Sequence, residues 1–86
     1  MRALINKVIH APAKIRIGKK GLTENIITEI QHIIKKDQVI KVKCLKVVPK
    51  ESIPAIANNI AELTDSKVVE IRGKTFILIK STKSEE

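Results

Sequence analysis

The chain has 86 residues, enough for one domain with a small core, and its 43% of apolar residues are almost all Ile, Val, Leu and Ala. This composition is typical of a globular domain and excludes a disordered chain. The 17 Lys and Arg against 9 Asp and Glu give a net charge of +8, which concentrates polyanions around the protein. We therefore expect a nucleic acid or an anionic membrane as the partner.

Several other classes are disfavoured by what the sequence lacks. No stretch approaches the ~18 apolar residues of a membrane span, and no long apolar signal core opens the chain, so we expect a cytoplasmic protein without a membrane partner. Cys44 is the single cysteine and is interpreted as a core residue. His10 and His32 are accompanied by no acid pair, serine nucleophile or metal spacing. We expect no enzymatic activity, metal, cofactor or small-molecule substrate.

The first elements along the chain are a helix and a strand. Apolar residues at helical spacing predict a short helix or helical turn over Arg2–Ile9, before the His10-Ala11-Pro12 stop. Residues Ala13 to Ile17 alternate between apolar and basic, which predicts a first strand with Lys14 and Arg16 on its outer face.

A helix and a second strand follow the Gly18–Gly21 break. Thr23 is a candidate N-cap for a helix with a stripe of isoleucines that ends near Lys35-Lys36. Residues Gln38 to Lys46 then alternate again, with Lys41 and Lys43 on an outer face that repeats the basic face of the first strand.

The second half predicts a helix and a hairpin. A turn over Pro49–Ser52 starts a helix whose apolar stripe is Ile53, Ile56, Ala57, Ile60, Ala61 and Leu63. Strands Lys67–Arg72 and Thr75–Lys80 are joined by Gly73-Lys74 alone, which suits a type II′ turn. Because the last strand is apolar on both faces, we expect it inside the sheet.

This order predicts an α/β fold, a two-layer sandwich with a mixed four-stranded sheet in β-α-β-α-β-β order after a short N-terminal helical turn. Right-handed crossovers make the first two strands parallel, and the hairpin makes the last two antiparallel. We expect a single domain over residues 1–86, with a core of about 11–80 and a polar tail over 81–86.

The Gly18-Lys19-Lys20-Gly21 loop is the candidate site. A Gly-x-x-Gly loop between a strand and a helix exposes backbone N–H groups beside the positive helix end, and glycines let a phosphate approach closely. Two glycines and two lysines also make an ordinary solvated turn. The context favours binding, since further basic residues flank the loop or occupy neighbouring strands: Lys14, Arg16, Lys41, Lys43, Arg72 and Lys74.

Two further considerations bear on this basic surface. Strand lysines also solvate an exposed sheet face and oppose aggregation at sheet edges. Phe76 is the only aromatic residue and lies in a core-like strand, so the chain cannot stack successive bases. Recognition is therefore expected to read backbone and shape rather than base sequence.

Three segments in the same order resemble the CRM domain (chloroplast RNA splicing and ribosome maturation), including its bacterial stand-alone form YhbY. They are Ile17 to Glu24, Ile40 to Lys43 and Ile71 to Thr75. The resemblance covers roughly Ala11 to Lys80. It implies the fold of the C-terminal domain of bacterial translation initiation factor three, RNA binding through Gly18–Gly21, and association of stand-alone members with large-subunit ribosomal precursors.

The chain departs from that family in a shortened segment before the first strand and in lacking the basic C-terminal tail of the bacterial form. The leading hypothesis is an RNA-binding ribosome-assembly factor contacting ribosomal RNA or a pre-ribosomal particle. One alternative is a DNA- or RNA-coating protein resembling Alba, although Gly73-Lys74 is too short for the long hairpin arm of those proteins. The other is a protein-interaction module on the ribosome. The oligomeric state is left open, with a monomer as the simpler expectation.

Overall fold

The computed structural model describes residues 2–81, with side chains from residue 6 onward. The predicted polar tail lies outside the described residues beyond Ser81. The elements in chain order are α1 (Arg2–Ile9), β1 (Ile15–Ile17), α2 (Glu24–Asp37), β2 (Val39–Cys44), a 3₁₀ turn (Lys50–Ser52), α3 (Ile53–Leu63), β3 (Ser66–Arg72) and β4 (Thr75–Lys80).

The four strands form one mixed sheet in the order β1-β2-β4-β3. β1 runs parallel to β2, whereas β4 is antiparallel to both of its neighbours. β4 therefore occupies an interior position, which explains why Phe76, Ile77 and Leu78 are all buried. The predicted α/β class, the mixed sheet and the interior last strand are confirmed.

The main core lies between one sheet face and helices α2 and α3. Phe76 and Leu78 of β4 are inaccessible to solvent there and pack with Ile30 of α2 and Ile60 of α3. Because alternate residues of a strand face the same way, Ile15 and Ile17 of β1 join this core, as predicted. The predicted helix stripe is wrong at Leu63, which is 53% exposed although Ile60, Ala61 and Thr64 beside it are buried.

Helix α1 lies against the opposite face of the sheet. Lys41, whose neighbours Ile40 and Val42 point into the main core, extends its side chain to this second face. Its Nζ donates to the carbonyl oxygens of Ile9 at 2.7 Å and of Ala11 at 2.8 Å. These bonds satisfy carbonyls at the C-terminal end of α1, where helices leave acceptors unpaired and favour a cation. The predicted helical turn is thus a docked helix of 8 residues.

Local signals in the sequence explain the element boundaries. The Thr23 side chain accepts a hydrogen bond from the Ile26 N–H at 3.2 Å, so the predicted N-cap of α2 is confirmed. In the hairpin, Gly73 has φ of 60° while Lys74 does not share the positive φ. This fits the predicted type II′ turn, which requires positive φ only at its first central residue. None of the helices within residues 2–81 has the length and apolar character needed to cross a membrane.

Candidate nucleic-acid interface

Three connections meet at one end of the sheet, where the parallel strands β1 and β2 both finish. Leu45 N–H donates to the Ile17 carbonyl at 2.8 Å, which joins the two strand ends. Cys44 N–H donates to the Lys74 carbonyl at 2.7 Å, which attaches the hairpin turn to the same place. We call this region the loop end; it comprises Gly18–Gly21, Leu45–Pro49 and Gly73-Lys74.

The Gly-x-x-Gly loop is a tight turn that depends on both glycines. Gly21 N–H donates to the Gly18 carbonyl at 2.9 Å, and Gly21 has φ of 68°, a left-handed conformation that side chains with a Cβ disfavour. A Cβ on Gly18 would lie 3.1 Å from Leu45 Cδ1, closer than an ordinary contact. Gly18 therefore permits close approach to the segment after β2, and Gly21 permits the turn.

The turn leaves polar groups available to an anion. The N–H groups of Lys19 and Lys20 donate no backbone hydrogen bond within the described chain, and both side chains are exposed. The N-terminus of α2 follows directly after the Thr23 cap, so its dipole adds positive potential, which Glu24 in the first turn partly offsets. These N–H groups and ammonium groups are the kinds of donor that phosphate oxygens accept from.

Basic side chains from all three connections and the adjoining strand ends lie along this end of the sheet. Lys74 Nζ donates to the Lys46 carbonyl at 3.0 Å, which fixes Lys74 beside the segment after β2. Arg72 pairs with Glu70 at 2.9 Å yet remains 72% exposed, so part of its guanidinium faces solvent. The cations of the loop end and its adjoining strand ends are Arg16, Lys19, Lys20, Lys43, Lys46, Arg72 and Lys74.

Two predicted site residues, Lys14 and Lys41, lie elsewhere. Lys14 precedes β1 at the other end of the sheet, with Nζ 3.9 Å from an Asp37 carboxylate oxygen. Lys41 is half-buried and holds α1 in place, so its ammonium group is already engaged. Arg16, by contrast, is exposed and is the register partner of Lys43, so it lies as near to the loop end as Lys43 does. Lys14 and Lys41 thus lie near α1, and Arg72 at the end of β3 shares a pocket with Lys41 and Ile9.

Lys46 is a loop-end cation that the sequence analysis did not single out. It falls at the end of the predicted second strand, where the alternating pattern gives no sign of its position in the folded chain. The signal that could have located it is the parallel pairing of β1 and β2, because the segments after two paired parallel strands lie side by side.

Cys44 is buried at the end of β2, in agreement with its interpretation as a core residue. Burial raises the pKa of its thiol above the ordinary value of 9.0, and the positive charge of Lys74 opposes this only partly. At neutral pH the thiol is therefore protonated and a poor nucleophile.

The sequence agrees with a known family over nearly its whole length. A family model for the CRS1/YhbY (CRM) domain matches residues 1–80. The chain belongs to this family. The match includes α1 as well as the four strands, so the N-terminal helix is part of the CRM domain here.

Two individual proteins illustrate what this CRM domain resembles. The solution structure of a hypothetical protein from Staphylococcus aureus, for which RNA binding has been suggested, superposes with a TM-score of 0.76 and 25% sequence identity, covering 99% of this chain and 88% of the other. The mitochondrial CRS2-associated factor 1 of Oryza sativa subsp. japonica is 28% identical over 67 residues, which cover 78% of this chain and 15% of the rice protein. The chain thus corresponds to a small part of that relative.

Replacing Lys41 tests whether it supports the fold rather than the surface. The Lys41→Met substitution removes both hydrogen bonds to the end of α1, and we expect the free energy of unfolding to fall by about 1.5–3 kcal/mol, as for bonds from a charged donor. Lys43→Met, at an exposed position of the same strand, should change it by less than about 0.5 kcal/mol. Urea unfolding of the two variants measures both effects. Equal losses in the two variants would contradict the anchoring role of Lys41.

Proposed function

We propose that this protein binds RNA by holding the phosphate backbone at the loop end. Membership of the CRM family and the likeness to the Staphylococcus aureus protein support RNA binding. The observation that carries the choice of site is the convergence of the Gly18–Gly21 turn with cations from two other connections at one end of the sheet.

The charge at the loop end is largely unneutralised. Within residues 6–81 the two ion pairs are Lys14 with Asp37 and Arg72 with Glu70. The ammonium groups of Lys19 and Lys20 therefore have no carboxylate partner among these residues. Lysines that served only solubility would act equally well when dispersed over the surface, whereas a cluster beside exposed N–H groups creates a focused positive potential.

Binding through this surface releases counterions from the RNA. If four to six phosphates are neutralised, the logarithm of the affinity should fall with the logarithm of salt concentration with a slope of roughly −3 to −5. Phe76 is completely buried, so aromatic stacking on bases is unavailable from the described chain. Contacts to phosphate and sugar position a protein without reading sequence, and we propose that shape and charge dominate recognition here.

We further propose a precursor of the large ribosomal subunit as the RNA target. The support is the resemblance of segments of this chain to the stand-alone bacterial form of the domain, together with the likeness to the Staphylococcus aureus protein. A coating role like that of Alba finds less support, because the β3–β4 connection is a two-residue turn attached to Cys44 rather than a projecting arm. The CRM family is not an enzyme family, so the proposed role is binding without catalysis.

Replacing the two turn lysines tests the site. The double variant Lys19→Ala with Lys20→Ala should weaken binding to a structured RNA more than tenfold. It should also reduce the magnitude of the slope of log affinity against log salt concentration by roughly 1 to 2, because two phosphate contacts are lost. Its melting temperature should hardly change, since exposed lysines contribute little to folding. Fluorescence anisotropy at several salt concentrations measures both quantities.

The matched control is Lys35→Ala with Lys36→Ala, which removes the same charge from an adjacent pair in the last turn of α2, at the other end of the sheet. It should weaken binding less than about threefold, through the net charge alone. Equal losses in the two double variants would show that total charge, and not the turn, determines affinity.

The proposed target is tested in cells. Ultraviolet crosslinking of the wild-type protein, followed by sequencing, should enrich large-subunit ribosomal RNA and its precursors, and this enrichment should disappear in the Lys19/Lys20 variant but persist in the Lys35/Lys36 variant. Crosslinks spread evenly over messenger RNA or DNA would contradict a ribosomal target and favour a general nucleic-acid coat.

A further inference from the structure

A groove of about 420 Å³ runs between the Gly18–Gly21 turn and the segment after β2. One wall is the turn itself, and the other is formed by Val47 and Pro49. Its volume falls within the range of ~300–1,000 Å³ that is usual for small-ligand sites. The floor is apolar and consists of Ile17, Leu22, Val48 and Ile56.

The walls of this groove expose apolar side chains beside lysines. Val47 is 60% exposed and is one of the four large apolar residues that the described chain leaves open to solvent. The apolar lining reaches the turn itself, since Leu22 follows Gly21 directly and both line the groove. Apolar surface clustered at a concave site, rather than scattered singly, is typical of a binding site.

One polar group also lines the groove. Ser52 precedes α3, but its hydroxyl forms no capping hydrogen bond to that helix. A Ser hydroxyl can donate one hydrogen bond and accept two, so it can bond to either an acceptor or a donor on a ligand. The groove thus combines an apolar floor, one uncommitted hydroxyl and a rim that includes Lys19.

We propose that this groove holds the base of an unpaired nucleotide while the Gly18–Gly21 turn holds a phosphate of the same strand. The inference rests on the proposed function and specifies its RNA class. Charge complementarity identifies the occupant, because a ligand that fills an apolar groove and also meets Lys19, Lys20 and the turn N–H groups carries an anion next to a group with apolar faces. A nucleotide has this composition.

The same geometry excludes a base that remains paired. A duplex keeps its bases stacked inside and presents only phosphate and sugar to the loop end, which leaves the groove empty. A bulged or single-stranded nucleotide can turn its base outward into the groove. Because the walls are aliphatic, the base is held by surface burial rather than aromatic stacking, and the preference should tolerate different bases.

The test compares two RNAs of equal nucleotide count: a fully paired hairpin, and a hairpin with a short bulge of unpaired uridines. At fixed salt, the wild-type protein should bind the bulged hairpin about tenfold more tightly, as expected for burying part of one base. Val47→Ser removes exposed apolar surface from the wall and should weaken binding of the bulged hairpin more than that of the paired hairpin, which reduces this preference to less than about twofold. Leu63→Ser, at an exposed apolar position at the far end of α3, is the matched control and should keep the preference.

The outcomes separate this inference from the function it rests on. Equal binding of both hairpins by the wild type would overturn the groove as a base site while leaving backbone binding intact, and so would an equal loss for both RNAs in Val47→Ser. Failure of the wild type to bind either RNA would overturn the proposed function itself. A concentration-dependent dimer that Val47→Ser abolishes in sedimentation would assign the groove to a second copy of the chain and also overturn the inference.

Discussion

The parallel pairing of β1 with β2 is the constraint on which the candidate site depends. Because β1 and β2 are parallel, their carboxyl ends lie at the same end of the sheet, and the two segments that follow them lie side by side. Because β4 is antiparallel to β2, the hairpin turn before β4 lies at that end of the sheet as well. Three connections that are far apart in sequence thus share the loop end, and most of the basic side chains proposed to bind RNA lie on them.

A second constraint divides the basic residues between two tasks. Lysines on alternate positions of β2 look equivalent in sequence, but Lys41 lies under the end of α1 and Lys43 lies nearer the loop end. The ammonium group of Lys41 satisfies helix carbonyls, whereas Lys43 remains exposed. A single basic strand therefore stabilises the fold at one position and contributes to the surface potential at the next.

Periodicity and capping residues were enough to predict most of the fold. Alternation identified β1 and β2, Thr23 marked the start of α2, and the short Gly73-Lys74 link required a hairpin. The failures concern contacts between distant segments. The apolar spacing of α3 did not show that Leu63 is exposed while the next residue, Thr64, is buried.

The candidate site shows the same division between local and distant information. The Gly-x-x-Gly turn follows from local sequence, but the approach of Leu45 to Gly18 and the neighbouring position of Lys46 follow from strand pairing. Lys41 and the carbonyl groups at the end of α1 that it binds are about thirty residues apart in sequence, and no periodic pattern indicates that they meet. The binding roles of the loop-end residues, the monomeric state and the cytoplasmic location stay predictions.

The most direct test of RNA binding at the loop end is a nuclear magnetic resonance titration of the ¹⁵N-labelled protein with a structured RNA. The account predicts that amide signals of Gly18–Gly21, Leu45–Val48 and Gly73-Lys74 shift together, while those of Lys35 and Lys36 at the other end of the sheet stay in place. Shifts confined to the α1 side of the sheet or to the far end, with the turn unaffected, would contradict it.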